Sequence, residues 1–404
     1  MWLRNNSCRR LVMARTRRLL ACYLFGHVAA LCVLSTCFAS AQSQPEIASD
    51  FAQFRPRQEM PGAAFVGSKV CAGCHVEQAR SQPHTSMAHA LSVTADGTAL
   101  ASHSPMTFQA GPYSYEIVSD AKGSTYTVTD GKETISEPIP YIFGNGNVAY
   151  TFVLRHNGKL YEGRVSYYSG IGRLDWTMGD LLNPPPSLEQ AFGRDIDSDE
   201  ARNCFSCHGT AAIVNRRLQL DRLVPGVGCE DCHGPGAQHL TAVTSGKKNS
   251  RLIFNPKRLP PEALSQEFCG ACHRSADTVG MMPNLGGINN VRFQPYRLLL
   301  SRSHSANDEH FACTACHDPH VELNHQSAAY DSKCTTCHVP RNSGTLHPSG
   351  EGSASLASAA PKSCPVRNDE CVTCHMPKVE LPGSHFKFSD HRIRIARPGE
   401  SYPY

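Results

Sequence analysis

Cys229-Glu230-Asp231-Cys232-His233-Gly234-Pro235-Gly236-Ala237-Gln238-His239 is the stretch from which the rest of the chain can be read. It carries two cysteines three apart, a histidine directly after the second, and another histidine beyond a Gly-Pro-Gly turn. Its opening pattern, Cys-x-x-Cys-His, occurs seven times: at Cys71-Cys74-His75, Cys204-Cys207-His208, Cys229-Cys232-His233, Cys269-Cys272-His273, Cys313-Cys316-His317, Cys334-Cys337-His338 and Cys371-Cys374-His375. These segments hold 14 of the 19 cysteines; Cys8, Cys22, Cys32 and Cys37 fall in the first forty residues, and Cys364 is left over. With 19 Cys and 20 His in 404 residues, chance would supply on the order of 0.04 such motifs, so seven need a common cause.

The spacing has a mechanical reason. Residues at i, i+3 and i+4 share one face of a helical turn. Two thiols on that face can each form a thioether to one haem vinyl group, and the adjacent imidazole then reaches the iron as proximal ligand. Structural zinc wants four ligands per site and has no use for a histidine after every second cysteine. A thioredoxin-type Cys-x-x-Cys occurs once, near a βαβ pattern. A disulfide framework has no reason for the histidine, and a chain of this length builds a core without staples. The pattern therefore predicts seven c-type haems (iron) held by the 14 motif cysteines, with His75, His208, His233, His273, His317, His338 and His375 as proximal ligands.

The N-terminus reads as a targeting segment. Arg4, Arg9, Arg10, Arg15, Arg17 and Arg18 form a basic stretch without an acid, an apolar run follows from Leu19 to Phe38, and Ala39-Ser40-Ala41 is a small-residue cleavage site. Met13 is an alternative start. A retained anchor is the competing reading, because twenty apolar residues can span a bilayer, and Leu34-Ser35-Thr36-Cys37 loosely fits a lipoprotein site. Cleavage after residue 41 would give an exported, periplasmic protein with no further membrane span. It also removes six of the 39 basic residues and none of the 35 acids, so the apparent positive balance becomes a formal −2. The basic excess belongs to the leader and does not argue for nucleic acid.

The predicted organisation is a signal peptide over 1–41, a first-haem segment over 42–100, a β-rich insertion over 101–200 and a six-haem region over 201–404. No cysteine lies between His75 and Cys204. Tyr113, Tyr115 and Ile117 alternate with polar residues there, as do Tyr126 and Val128 before an Asp130-Gly131 turn. The run Val148, Tyr150, Phe152, Leu154 meets Tyr161, Val165, Tyr167 across Asn157-Gly158, a hairpin signal. Residues near 105 to 180 thus read as a small antiparallel sheet unit, with either a packing role against haem edges or a docking or gating role. Beyond residue 201 the motif starts are 25, 40, 44, 21 and 37 residues apart. Segments that short build no ordinary apolar core, so porphyrin must serve as core material, with a short helix at each motif. Asn342 to Lys362 reads as a Ser/Gly/Ala-rich surface loop.

Twelve histidines remain once the proximal set and His27 are removed: His84, His89, His103, His156, His239, His304, His310, His320, His325, His347, His385 and His391. They suffice to make every haem bis-histidine, which gives low reduction potentials where Met/His would raise them. His320, after Asp318-Pro319, and His239, after Gly234-Pro235-Gly236, are turned toward neighbouring haems. His391 sits in a tail with little else to fix it, and His84 and His89 flank Met87 just after the first motif. His84, His89, His239, His320 and His391 are therefore the candidate distal ligands. His156 occupies a hairpin turn and reads as a solvated residue, His103 has no pattern around it, and the rest are undecided. Cys364 reads as a small buried hydrophobe, with a thiolate ligand or an intermolecular disulfide as alternatives.

Cys229-Glu-Asp-Cys-His-Gly-Pro-Gly with His239, Cys313-Thr-Ala-Cys-His-Asp-Pro-His, Cys371-Val-Thr-Cys-His-Met-Pro-Lys and Asp390-His391-Arg-Ile resemble segments of the multihaem c-type cytochromes related to cytochrome c-554. The likeness covers the first motif and the region from about 201 onward. It implies a multihaem cytochrome c fold, in which short α-helices and irregular chain surround stacked haems. The inserted antiparallel β-rich unit makes this chain α+β and departs from the small tetrahaem members. The resemblance also implies electron shuttling, with nitrite reductase and hydroxylamine oxidoreductase among distant relatives. Electron transfer along mostly bis-histidine haems is thus the leading expectation. An oxidoreductase of nitrogen-oxide or sulfur-oxyanion type with one open iron is the alternative, and a conducting filament a third reading. Seven haems would add about 14 propionate charges and bring the formal charge near −16, which suits redox partners with basic docking patches.

Overall fold

Strict alternation along residues 113–117 lays Tyr113, Tyr115 and Ile117 on one buried face and Ser114 and Glu116 on the exposed one. The computed structural model that contains this strand describes residues 64–402 apart from 94–98, 180–182, 248–251, 282–286, 305–309, 337, 339–363, 365, 368 and 398. The signal segment 1–41, Cys337, His347 and the stretch 342–362 lie outside the described residues.

Strand β1 is Leu91–Val93, β2 Met106–Ala110, β3 Tyr113–Asp120, β4 Gly123–Thr129, β5 Thr134–Pro138, β6 Tyr141–Phe143, β7 Ala149–His156, β8 Lys159–Tyr168, β9 Arg173–Trp176 and β10 Gly193–Ile196. They form two antiparallel sheets, a meander β2-β3-β4-β5 and a second sheet ordered β1-β6-β7-β8-β10 with β9 also pairing β8. One apolar cluster joins them: Tyr115, Ile117, Tyr126 and Val128 from the first sheet meet Phe152, Leu154, Val165 and Leu174 from the second. Tyr126 is the pivot, with its ring edge-on to Phe152 at 6.1 Å and to Phe192 at 5.6 Å.

The turns follow the sequence. Asn157 and Gly158 both have positive φ, 48° and 77°, the geometry of the two-residue hairpin that an Asn-Gly pair favours. Asp130 accepts from the backbone N–H groups of Lys132 and Glu133 at 2.8 Å each, closing the β4–β5 turn. The unit nevertheless reaches beyond residues 105–180. Leu91 pairs with Phe143 and Gly193 with Gly163, so β1 and β10 complete the edges. Three residues of β1 and the polar Gly-Arg-Asp-Ile of β10 carry too little alternation to announce a strand; only the offered edge makes them one.

The remainder is short helices and irregular chain. Helices Ser68–Ala72, Ser198–His208, Cys229–His233, Gly270–His273, Cys313–Cys316, Asp331–Thr335 and Cys371–His375 each carry cysteines of one motif. A closing hairpin pairs Lys378–Leu381 with Phe386–Ser389. The described chain belongs to one compact unit, Phe51–Tyr404. A second apolar cluster, with Leu91, Phe143, Val153, Ile196, Phe205 and Ala212, ties the second sheet to the helix Ser198–His208. Phe205, between the two cysteines of its motif, is fully buried with Tyr141 and Phe143 edge-on at 4.9 and 5.1 Å.

Phe205→Ala removes this joint. It should destabilise the purified holoprotein by about 3–5 kcal/mol, while Phe205→Leu should lose far less. Thermal unfolding measures both, and an unchanged midpoint for Phe205→Ala would mean that the joint bears no load.

Candidate haem sites

A helix of four or five residues is too short to stand alone, and its first N–H groups have no partner within it. In this chain the partners come from other motif segments. Ser68 Oγ accepts from the Cys229 N–H at 3.4 Å, joining the first motif to the third. Thr210 Oγ1 accepts from the Gly228 N–H at 2.8 Å, joining the second to the third. Ser265 Oγ accepts from the Cys313 N–H at 3.2 Å, joining the fourth to the fifth. Asp331 accepts from Glu370 and Cys371 N–H at 2.7 and 2.9 Å, joining the sixth to the seventh. Glu230, almost wholly buried, accepts from Val66 and Gly67 N–H at 2.9 and 2.7 Å ahead of the first motif. It also accepts from Gly236 N–H at 2.8 Å in the turn that leads to His239. Gly226 lies so close to the Ala88 carbonyl that a Cβ there would collide with it, and its φ of +75° suits glycine.

The thiols run together in the same order. Cys71 hydrogen bonds with Cys229. Cys269 hydrogen bonds with Cys313 and has Cys232 as an electrostatic neighbour. Cys207 approaches the Ala271 carbonyl at 4.0 Å. Cys316 neighbours Cys334, and Cys334 neighbours Cys371. Every motif is thus adjacent to at least one other. No cysteine among the described residues is held in a disulfide.

Three pairs of imidazoles face each other across a gap. His75 and His239 have ring centroids 6.3 Å apart, His233 and His320 6.1 Å, and His317 and His391 6.3 Å. A metal–imidazole bond is about 2 Å and a ring nitrogen lies roughly 1 Å from its centroid, so rings on opposite sides of one iron stand roughly 6 Å apart. Each pair joins a motif histidine to one of the candidate distal histidines. Hydrogen bonding at the far nitrogen supports the same chemistry. Nδ1 of His208, His233 and His375 lies 2.9 Å from the carbonyls of Ala90, Phe254 and Arg394. Nδ1 of His391 lies 3.0 Å from Ser389 O, and that of His320 3.0 Å from Asp318 Oδ1. Such a bond holds the proton on Nδ1 and presents Nε2 to a metal. His239 differs: its Nδ1 is buried with no hydrogen-bond partner. Burial lowers the pKa of His233 and His317 and pushes His391 down to about 4, keeping the rings neutral as metal ligation requires. These residues fit covalently held haem.

His391 is better anchored than its tail position implies. Asp390 and Arg297 are fully buried and paired through two hydrogen bonds of 2.8 and 2.9 Å, and Arg394 adds a third at 2.8 Å. Tyr402 lies under the Arg297 guanidinium at 4.6 Å and donates to Asn290 Oδ1 at 2.8 Å. Ser301 Oγ donates to the His391 carbonyl and accepts from Ile393 N–H. The segment 390–394 therefore serves two motifs, placing His391 opposite His317 and the Arg394 carbonyl on His375. A similar clamp seats the His320 loop: Glu322 accepts from both the N–H and the hydroxyl of Ser86.

Other histidines are placed differently. His84 and His89 are exposed, and among the described residues neither ring faces another imidazole. His156 is not the solvated turn residue its position suggests: Nδ1 is 2.7 Å from Glu137 and the ring packs on Phe192 at 5.3 Å. His103 lies 4.4 Å from Tyr167, His385 Nε2 is 2.9 Å from Asp175 Oδ2, and His304 lies 6.3 Å from Phe311. Glu230, Asp331, Glu322 and the Arg297–Asp390 pair escape sequence reasoning, because their partners lie far away in the chain.

This is the site architecture of a c-type, multihaem protein. Residues 186–234, which span the second and third motifs, match the family model described as cytochrome c554 and c-prime. A curated relative, dissimilatory sulfite reductase MccA of Wolinella succinogenes, is 23% identical over 171 residues, covering 32% of this chain and 24% of that protein. The match thus spans about a quarter of the relative's length. Among solved structures, outer cell wall cytochrome OcwA is similar with a TM-score of 0.46 and 17% identity, over 81% of this chain and 79% of that one. The two sequence matches, set on seven Cys-x-x-Cys-His repeats, support a multihaem c-type cytochrome family for the chain.

Asp390→Ala should cost about 3–5 kcal/mol, because it leaves Arg297 buried without its counter-charge. Although burial works against the Asp390 charge, Arg297 and the Arg392 N–H hold its pKa below the ordinary value. Its contribution is therefore complete above about pH 4 and is lost as the pH falls through the lower folded value. Denaturation of wild type and variant at pH 7 and at pH 3 should give a difference that shrinks in acid; an equal gap at both would contradict the assignment.

Proposed function

We propose that the chain is an exported heptahaem electron carrier. The contiguity of all seven motifs carries the reading: side chains of one cap the next, and thiols of neighbouring motifs meet. Bound haem supplies a one-electron iron couple. The protein's part is to hold neighbouring sites close and to set each potential through ligand identity, burial and the carbonyls on Nδ1. His239, His320 and His391 are assigned as distal ligands opposite His75, His233 and His317. An iron closed on both sides by imidazole exchanges electrons without binding substrate. The Arg-rich leader and its Ala39-Ser40-Ala41 end support export, and no helix among the described residues is long and apolar enough to cross a membrane.

Intact mass of the purified protein should show seven haem additions, and its spectrum should be dominated by low-spin iron. His391→Ala should turn one haem high-spin and open it to carbon monoxide while the other six stay unchanged. A wild-type spectrum dominated by high-spin iron, or fewer than seven haems, would overturn the proposal.

One observation favours a second reading, a reductase of sulfur or nitrogen oxyanions. The His208 ring meets Phe143 at 5.0 Å, and no second imidazole faces it among the described residues. The relative MccA is named a dissimilatory sulfite reductase. Sulfite or nitrite would then shift the Soret band of the wild-type protein, and the shift would disappear in His208→Ala.

A further inference from the structure

Among the described residues, Arg292 is a cation without an anion beside it. It ends the 3-10 helix Gly287–Arg292 at the junction between the fourth motif and the β-unit. Its Nε is buried without a hydrogen-bond partner. Its Nη1 reaches only the Met178 sulfur at 3.5 Å, and its guanidinium lies 5.3 Å from the Phe293 ring centre. Among the described residues the charged or ionisable groups acting on it are Arg274, the residue after His273, and the Tyr168 hydroxyl; burial and Arg274 both oppose its charge. The contrast with its neighbour is sharp. Arg297, five residues on, is satisfied by Asp390 through two bonds. A guanidinium stays protonated at any working pH. Enclosed in apolar and like-charged surroundings, it requires an opposite charge, and its fork of N–H donors matches the oxygens of a carboxylate or other oxyanion.

We propose that Arg292 is the receptor for an oxyanion between the fourth haem motif and the β-unit. Two sources share that chemistry: a propionate of the haem attached at Cys269 and Cys272, or a small free oxyanion. The inference rests on the haem reading above. Intact mass keeps the two separable, since a chain without haem would fail that reading before Arg292 is tested.

The test compares wild type, Arg292→Met and Arg292→Lys as purified holoproteins, by redox titration with and without added sulfate at constant ionic strength. Arg292→Met removes the charge and keeps bulk, and Arg292→Lys keeps the charge. If a propionate is the ligand, Arg292→Met makes reduction of one haem at least about tenfold less favourable, a fall of about 59 mV. Arg292→Lys then restores most of it, and sulfate has no effect on wild type. If a free oxyanion is the ligand, sulfate shifts one potential of wild type saturably and leaves Arg292→Met unmoved. With haem content intact, unchanged potentials in Arg292→Met together with no sulfate response in wild type would overturn the proposal.

Discussion

The structure depends on one constraint: a Cys-x-x-Cys-His turn cannot satisfy its own N-terminal N–H groups. A turn of five residues leaves nearly all of its donors unpaired inside itself. Here Ser68, Thr210, Ser265 and Asp331 each supply an acceptor at or just ahead of a turn belonging to another motif, and the Glu230 carboxylate accepts from three N–H groups around two elements. Haem-binding segments that need each other in this way cannot drift apart. The closeness that electron transfer requires is built into the backbone hydrogen bonding and does not depend on a continuous apolar core.

The same economy appears in the ligand loops. Glu230 fixes the start of the His75 segment and the turn before His239, so one carboxylate sets both sides of one gap. The tail 390–394 provides His391 to one motif and a carbonyl to another, held by the Arg297–Asp390 pair. A buried ion pair adds little net stability against an apolar substitute. Its value here is positional, because a bidentate guanidinium fixes the carboxylate next to His391 in direction as well as distance.

The β-unit is continuous with the haem region. β1 comes from the segment after the first motif, β10 leads directly into the helix of the second, and Phe205 of that motif sits against Tyr141 and Phe143. The sheet thereby forms one wall beside His208, whose Nδ1 is held by Ala90 next to β1. Met178 and Tyr168 of the unit border Arg292, which has Arg274 of the fourth-motif segment beside it. Two motifs thus touch the sheets, which gives the unit a place in the electrostatics of the chain as well as in its packing.

The sequence by itself determined what is local. Three-residue spacing of cysteines, the histidine after each pair, the alternation over 113–117 and the Asn157-Gly158 turn are written within a few residues, and each was legible because a helical turn, a strand or a hairpin is a short-range object. His239 and His320 were legible as ligands reaching outward, because proline and glycine before them turn the chain. Tertiary structure alone decided which imidazole meets which, since that depends on residues 74 to 164 positions apart in the chain being brought within a few ångströms. It also decided that His156, His103 and His385 belong to hydrogen bonds and rings of the β-unit. A histidine looks the same in sequence whether it faces iron or a carboxylate; only the groups that folding places opposite its nitrogens distinguish the two.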